Sequence, residues 1–266
     1  MRDYDSSMVR LARMGLAVLL ASGLAAPALA QRVLDLPQSF AFTPAEVGAF
    51  AGHAYGARLR TLRDASRVDG DDALKARLQR LFPRIAAAAA YEMPASASLA
   101  WEIHSCAGCD ENAAALPGGK LLVSSDLVAR LALSDDELAY LLAHEVAHVI
   151  AQHTREYASA ARYMIDNGRH RSYADIQEEL DASLSAMVRM APIAAAQELE
   201  ADRIGFVLGA HAGFAPAAML SLLGKLGDGA GFAGSHPPRA TRFAQARQML
   251  DAARRLAARP ITQSQP

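Results

Sequence analysis

The stretch His144-Glu145-Val146-Ala147-His148 decides the fold, and Glu198-Leu199-Glu200-Ala201-Asp202 complements it later in the chain. In the first stretch, two histidines stand four residues apart, with a glutamate after the first. On a helix, residues four apart project from the same face. Two imidazoles placed in this way can bind one tetrahedral zinc ion at about 2.0–2.1 Å. The first stretch therefore predicts a helix that carries a metal site.

This helix is predicted to be internal. Ser134 can cap it, with Glu137 completing a capping box three residues on. From residue 135 to 153 nearly every face is apolar, through Leu138, Ala139, Leu141, Leu142, Val146, Ala147, Val149 and Ile150. A helix that is apolar all round is a buried one. Burying two histidines and a glutamate is costly without a partner. A metal ion is the favoured partner, and a hydrogen-bonded core pair is the alternative.

A catalytic zinc site needs three protein ligands and one open position. Glu198 is predicted as the third ligand, and Asp202, one turn later, is predicted to accept the Nδ1 proton of a ligand histidine. Glu200 lies on another helix face and is the weaker choice of ligand. Glu145 is predicted to act as the general base, taking a proton from water and passing it to the leaving amine. His153 is expected to be a solvated helix-end residue.

Two residues near the C-terminus are further candidates for catalysis. His236 follows a glycine-rich loop and precedes two prolines. It is a candidate either for the open zinc position or for a hydrogen bond to the tetrahedral intermediate, and a simple turn residue is the alternative. Arg242 is a candidate to pair with Asp202 or with a developing oxyanion.

The chain has two cysteines, Cys106 and Cys109. Their C-x-x-C spacing occurs in zinc and redox sites, but no second cysteine pair or thioredoxin-like pattern accompanies it. In an oxidising compartment, a disulfide closing a small loop is the favoured interpretation.

The N-terminus is typical of a secretory signal peptide. The chain begins with a basic leader that contains Arg2, Arg10 and Arg13. An apolar run over residues 14–26 follows, and after it comes the small-residue pattern Ala28-Leu29-Ala30. Cleavage is expected after Ala30, which predicts a periplasmic protein. A retained N-terminal anchor is the alternative.

The charge balance and the apolar segments of the chain bear on two classes of function, nucleic-acid binding and membrane spanning. Residues 1–30 hold three Arg and two Asp, so 24 basic and 26 acidic residues follow them. This balance indicates no nucleic-acid partner, and no later segment has the length and apolarity of a transmembrane helix.

We expect one metallopeptidase domain over residues 31–258, including a helical part over 43–94, and a disordered tail over 259–266.

The fold class is predicted as α+β and mostly helical. Strands are expected at 99–104 and 120–124, forming a small antiparallel sheet with 112–117 between them, packed on the active-site helix. Pro83 is expected to break or kink a helix. Further helices are expected within 155–192, interrupted at Asn167-Gly168, and over 197–208, 216–226 and 239–258.

The motifs resemble, in order, those of the HtpX-like and CAAX-prenyl-protease-like gluzincin zinc metallopeptidases, in their exported soluble branch. The matching stretches are Asn112–Lys120, Asp136–Ala139, His144–His148, Glu198–Asp202 and Ser235–Pro238 with Arg242. The resemblance implies a zincin-type domain and a zinc-dependent endopeptidase with one zinc per chain. It implies His144, His148 and Glu198 as ligands and Glu145 as the base.

The resemblance also suggests how substrate binds. The stretch at Asn112 and Ala113 would form an edge where a peptide substrate adds as an extra strand. Exported relatives are associated with quality control of envelope proteins, so the expected partners are misfolded or misassembled proteins, including outer-membrane assembly proteins. The competing hypothesis is a chaperone-like envelope binding protein whose zinc site is held latent by His236.

Overall fold

The computed structural model describes residues 40–109, 113–226 and 237–257. The predicted signal peptide and C-terminal tail lie outside these ranges. So do two predicted site residues, Asn112 and His236. Within the described residues, no helix is long and apolar enough to cross a membrane.

Two long helices open the described chain, α1 (Pro44–Asp64) and α2 (Asp72–Glu92). Thr43 and Glu46 form the capping box of α1, with Pro44 in its first turn. Of the break or kink expected at Pro83, the break is absent, because α2 continues through this residue. Leu81 and Ile85, on either side of the proline, are almost fully buried, and tertiary packing of this kind overrides local helix propensity.

A small sheet follows, built from β1 (Glu102–Cys106), β2 (Ala113–Leu116) and β3 (Lys120–Ser124) in the order β1-β3-β2. The predicted α+β class is confirmed, but the sheet is mixed rather than wholly antiparallel. β2 pairs antiparallel with β3, whereas β1 pairs parallel with it. The extra strand β2 explains the difference, since it reverses the chain before β3 and leaves β1 and β3 pointing the same way.

The sheet lies between helices on both faces. Successive side chains of a strand point to opposite faces. Accordingly, Leu122 of β3 joins a cluster with Tyr55 and Leu59 of α1, while Leu121 and Val123 face the main core. A 3₁₀ turn, Pro94–Ser98, precedes the sheet, and the short helix α3 (Ser125–Arg130) follows it.

The central helix α4 (Asp135–Ile150) carries the histidine motif and is buried along most of its length. Its N-terminus has the predicted capping box of Ser134 and Glu137. The remaining helices are α5 (His153–Met164), a 3₁₀ turn at Gly168–His170, α6 (Tyr173–Ala182), α7 (Leu184–His211), α8 (Ala217–Leu226) and α9 (Arg239–Ala257).

Helix α7 lies closely against α4 because glycines replace side chains at their contact. A Cβ on Gly205 would lie 3.0 Å from the backbone nitrogen of His144, and one on Gly209 would lie 2.5 Å from the Tyr140 ring. Both distances are tighter than nearly all real Cβ contacts. The two glycines therefore set the distance between the helices that carry the two motifs.

We expect Gly205→Val to destabilise the protein by about 1–3 kcal/mol, the usual range for overpacking a filled core. Its branched side chain would meet the His144 backbone, which cannot rotate away. The free energy of unfolding, measured with urea, checks this. Gly52→Val in α1 is the matched control, since a Cβ there meets nothing within 4 Å. Equal stability of the two variants would contradict the close contact.

Candidate metal centre

His144 and His148 lie on one face of α4, as their spacing predicts. Their Nε2 atoms are 3.1 Å apart, and both side chains are mostly buried. Two imidazole nitrogens facing each other at this distance need a proton or a cation between them. The helix thus presents a pair of nitrogen donors aimed at one point.

Glu198 of α7 brings its carboxylate to the same point. Its Oε2 lies 3.5 Å from His144 Nε2, and its Oε1 lies 3.4 Å from His148 Nε2. Among the described residues, these three form a group of side chains that could hold a metal ion. A tetrahedral ion with ligand distances of about 2.0–2.1 Å sets its donors roughly 3.3 Å apart. The donor set and its spacing therefore fit a small tetrahedral cation such as zinc.

Asp202 and Arg242 stand behind His144. Asp202 Oδ1 lies 3.1 Å from His144 Nδ1, on the ring side opposite the donor cluster. Arg242 of α9 donates two hydrogen bonds of 2.7 Å to the same carboxylate. Of the two partners expected for Arg242, the structure therefore shows Asp202. Arg242 Nη1 is also 3.8 Å from Glu198 Oε2, which links this pair to the third donor.

These contacts determine the charge states around His144. Burial would raise the pKa of Asp202, but hydrogen bonds from Arg242 and His144 outweigh it and lower the pKa. Burial would lower the pKa of His144, but the two carboxylates outweigh it and raise the pKa to about 10. The two carboxylates thus favour the positively charged form of His144, or another cation bound in its place.

Glu145 is partly buried and follows His144 on α4. Its charge contributes to the raised pKa of Arg242, after the larger effects of burial, which lowers that pKa, and of Asp202 and Glu198, which raise it. The charge of Glu145 is thus felt at Arg242, which contacts Asp202.

The expectation for His153 was wrong, because this residue is buried, with 2% of its surface exposed. The prediction assumed a straight helix. Instead α4 ends at Ile150, and Gln152 adopts a left-handed conformation with φ of 57°. This turn places His153 Nδ1 2.9 Å from His148 Nδ1. The spacing from the histidine motif was visible in the sequence, but the turn was not.

Glu200, the weaker choice of ligand, lies outside the group of three donors, as expected. It is buried and its Oε2 lies 3.6 Å from His153 Nε2, although it does not join the donor cluster. Nearby, Gln197 donates hydrogen bonds to the His153 carbonyl and to Glu156. The first part of the second motif therefore supports His153, while Glu198 and Asp202 of the same motif surround His144.

Cys106 is the last residue of β1, and Cys109 follows three residues later. Their Cα atoms are 6.0 Å apart and their sulfurs are paired, which is compatible with the predicted disulfide. Gly108 between them adopts a positive φ of 58°. Arg67 donates a hydrogen bond to the Ala107 carbonyl, so the loop is also fastened from outside.

Ala113, predicted to contact substrate, is the first residue of β2. In the sheet order, β2 is an outer strand that pairs only with β3 among the described strands. It also packs against α4, the helix that carries the histidines. The outer strand that contains Ala113 is therefore in contact with the helix that carries the two histidines.

Comparison with known proteins agrees with this site. The model of peptidase family M48 matches residues 72–250, more than half of the chain and a range that includes all three donors. Similar proteins include mitochondrial metalloendopeptidases named OMA1. The protein from Schizosaccharomyces pombe is 30% identical over 162 residues, covering 57% of this chain and 47% of its own length.

Two further relatives show the same partial coverage. The Arabidopsis thaliana protein is 32% identical over 168 residues, which are 58% of this chain and 33% of the relative. The Saccharomyces cerevisiae protein is 32% identical over 150 residues, which are 54% of this chain and 43% of the relative. The chain thus spans a third to just under half of these relatives. With the match over residues 72–250 and the three donors inside it, the chain belongs to peptidase family M48.

Proposed function

We propose that the protein is a zinc-dependent endopeptidase with one zinc ion per chain. The observation that carries the proposal is the convergence of His144 Nε2, His148 Nε2 and the Glu198 carboxylate at tetrahedral spacing. Two histidines and a glutamate are a known donor set of catalytic zinc sites, which keep a fourth position for water or substrate. Membership of a peptidase family supports hydrolysis as the reaction.

When bound, zinc supplies Lewis acidity, which polarises the scissile carbonyl and makes water available as a nucleophile near neutral pH. Glu145 is the proposed general base. It accepts the proton that the attacking water loses and returns it to the nitrogen of the leaving amine. Its position directly after His144 on α4 supports this role.

Asp202 and Arg242 are proposed to orient His144. With His144 Nε2 turned to the metal, Nδ1 carries a proton that Asp202 accepts. Arg242 neutralises the buried Asp202 with two hydrogen bonds, so its guanidinium is already engaged. We therefore favour a positioning role for Arg242 over direct contact with the oxyanion. His236 stays a prediction, either for the open zinc position or for a hydrogen bond to the tetrahedral intermediate.

A peptide substrate is proposed to add as an extra strand along β2, at Asn112 and Ala113. The open edge of β2 and its packing on α4 support this mode of binding. By the resemblance of its motifs, the proposed substrates are misfolded or misassembled cell-envelope proteins, including outer-membrane assembly proteins. The proposed compartment is the periplasm, which rests on the signal-peptide pattern before Gln31; the mitochondrial names of the relatives give it no support.

The first test concerns the metal. Purified protein is expected to contain one zinc per chain by metal analysis, and Glu198→Ala is expected to lose most of it, because the third donor is removed. Glu178→Ala, which alters an exposed carboxylate on α6, is the matched control and should keep its zinc. Full zinc in Glu198→Ala would remove Glu198 from the ligand set.

The second test concerns the reaction. Glu145→Gln is expected to keep its zinc and to lose at least 10²-fold in casein cleavage, about the usual contribution of a general base. Cleavage is followed by release of labelled peptides, with zinc measured in the same samples. If both proteins cleave casein equally, Glu145 is not the base, and if wild type with bound zinc cleaves no peptide, the endopeptidase proposal fails.

A further inference from the structure

The two histidines of the α4 motif are supported by different partners. His144 faces a carboxylate through its Nδ1, whereas His148 faces another imidazole. The Nδ1 atoms of His148 and His153 are 2.9 Å apart, within hydrogen-bond distance. His153 has only 2% of its surface exposed, so water cannot readily replace this contact. His153 is not one of the three donors, so its buried contact with His148 calls for a separate role.

His153 is not placed as a fourth donor. His148 presents Nε2 to Glu198 and Nδ1 to His153. These nitrogens lie on different sides of the imidazole ring, so His153 is behind His148 as seen from the donor cluster. Its contact can therefore act on the metal site only through the orientation and proton position of His148.

Hydrogen-bond chemistry fixes where the protons lie. When His148 Nε2 binds a metal, its Nδ1 carries the ring proton. Two N–H groups cannot point at each other across 2.9 Å, so His153 Nδ1 must be the acceptor. A neutral imidazole that accepts at Nδ1 carries its proton on Nε2. That nitrogen makes no hydrogen bond in the structure, and the carboxylate oxygen Glu200 Oε2 lies 3.6 Å from it, at the distance of an ion-pair neighbour.

The backbone around His153 is held as well. Gln197 of α7 donates a hydrogen bond of 3.1 Å to the His153 carbonyl and one of 3.0 Å to Glu156. The left-handed turn at Gln152 places His153 at the start of α5. Two residues of α7 thus contact His153: Glu200 lies near its side chain, and Gln197 donates a hydrogen bond to its backbone carbonyl.

We propose that His153 is a positioning residue for the metal site, which accepts the Nδ1 proton of His148 and is itself oriented by Glu200. The series of contacts from Glu200 through His153 to His148 corresponds to the series from Arg242 through Asp202 to His144. The inference rests on the proposed zinc site and adds an imidazole–carboxylate pair to it.

Zinc affinity of the full chain, measured by competition with a fluorescent chelator, tests the proposal. His153→Leu is expected to bind zinc about 10–100-fold more weakly, the usual effect of removing a partner of a ligand histidine. His153→Asn places an amide oxygen near the position of Nδ1, so it is expected to recover most of the affinity. His211→Leu is the matched control, because His211 lies at the far end of α7 and pairs with Glu92.

A purely structural role makes a different prediction. It would lower the thermal midpoint of His153→Leu in chelator while leaving its zinc affinity unchanged, and that result would overturn the proposal. Failure of His153→Asn to recover affinity beyond His153→Leu would also overturn it. If wild type itself bound no zinc, the proposed function would fail instead, so the two failures are distinguishable.

Nitrogen-15 NMR of the zinc-loaded wild type tests the proton positions without any substitution. The expected spectrum has His148 protonated on Nδ1 and His153 protonated on Nε2 only. A proton on His153 Nδ1 would contradict the proposal, whether or not His153→Leu folds.

Discussion

The contact between α4 and α7 is the constraint on which the site depends. Neither helix holds a complete donor set, since α4 supplies two nitrogens and α7 supplies the carboxylate. Gly205 lets the backbone of α7 approach His144 itself, the first of the donors. Because interiors are close-packed, this approach fixes Glu198 relative to the histidines. Packing between two helices, rather than a flexible loop, therefore sets the geometry of the three donors.

The same contact creates an electrostatic requirement. Asp202 is 1% exposed, and burying an isolated carboxylate is costly. Arg242 from α9 compensates the buried charge with two hydrogen bonds to Asp202. Asp202 in turn contacts Nδ1 of His144, and this contact fixes the orientation of the imidazole ring. Removing one partner of a buried ion pair typically costs about 3–5 kcal/mol. The site is thus joined to the C-terminal helix by a charge pair as well as to α4 by packing.

Local sequence signals predicted a large part of this arrangement. The spacing of His144 and His148 indicated one helix face, and the capping box at Ser134 marked where that helix begins. Glu198 and Asp202, also four residues apart, were correctly expected to meet the histidines from a second helix. Each of these inferences needed only helical periodicity and the preferences of a metal ion.

Long-range geometry accounts for what the sequence did not reveal. The parallel pairing of β1 with β3 depends on a third strand made largely of alanines, whose pattern gives no alternation to detect. His153 was misplaced because a single left-handed residue, Gln152, redirects the chain after α4. Non-glycine residues adopt this conformation rarely, so nothing local announced it.

The central claim is that two helices hold one zinc ion through two imidazoles and one carboxylate. Zinc K-edge X-ray absorption of the zinc-loaded protein tests it most directly. The account predicts only nitrogen and oxygen neighbours at about 2.0–2.1 Å, with outer-shell scattering from two imidazole rings. A sulfur neighbour at about 2.3 Å, which would implicate Cys106 or Cys109, or scattering from a single imidazole, would contradict it.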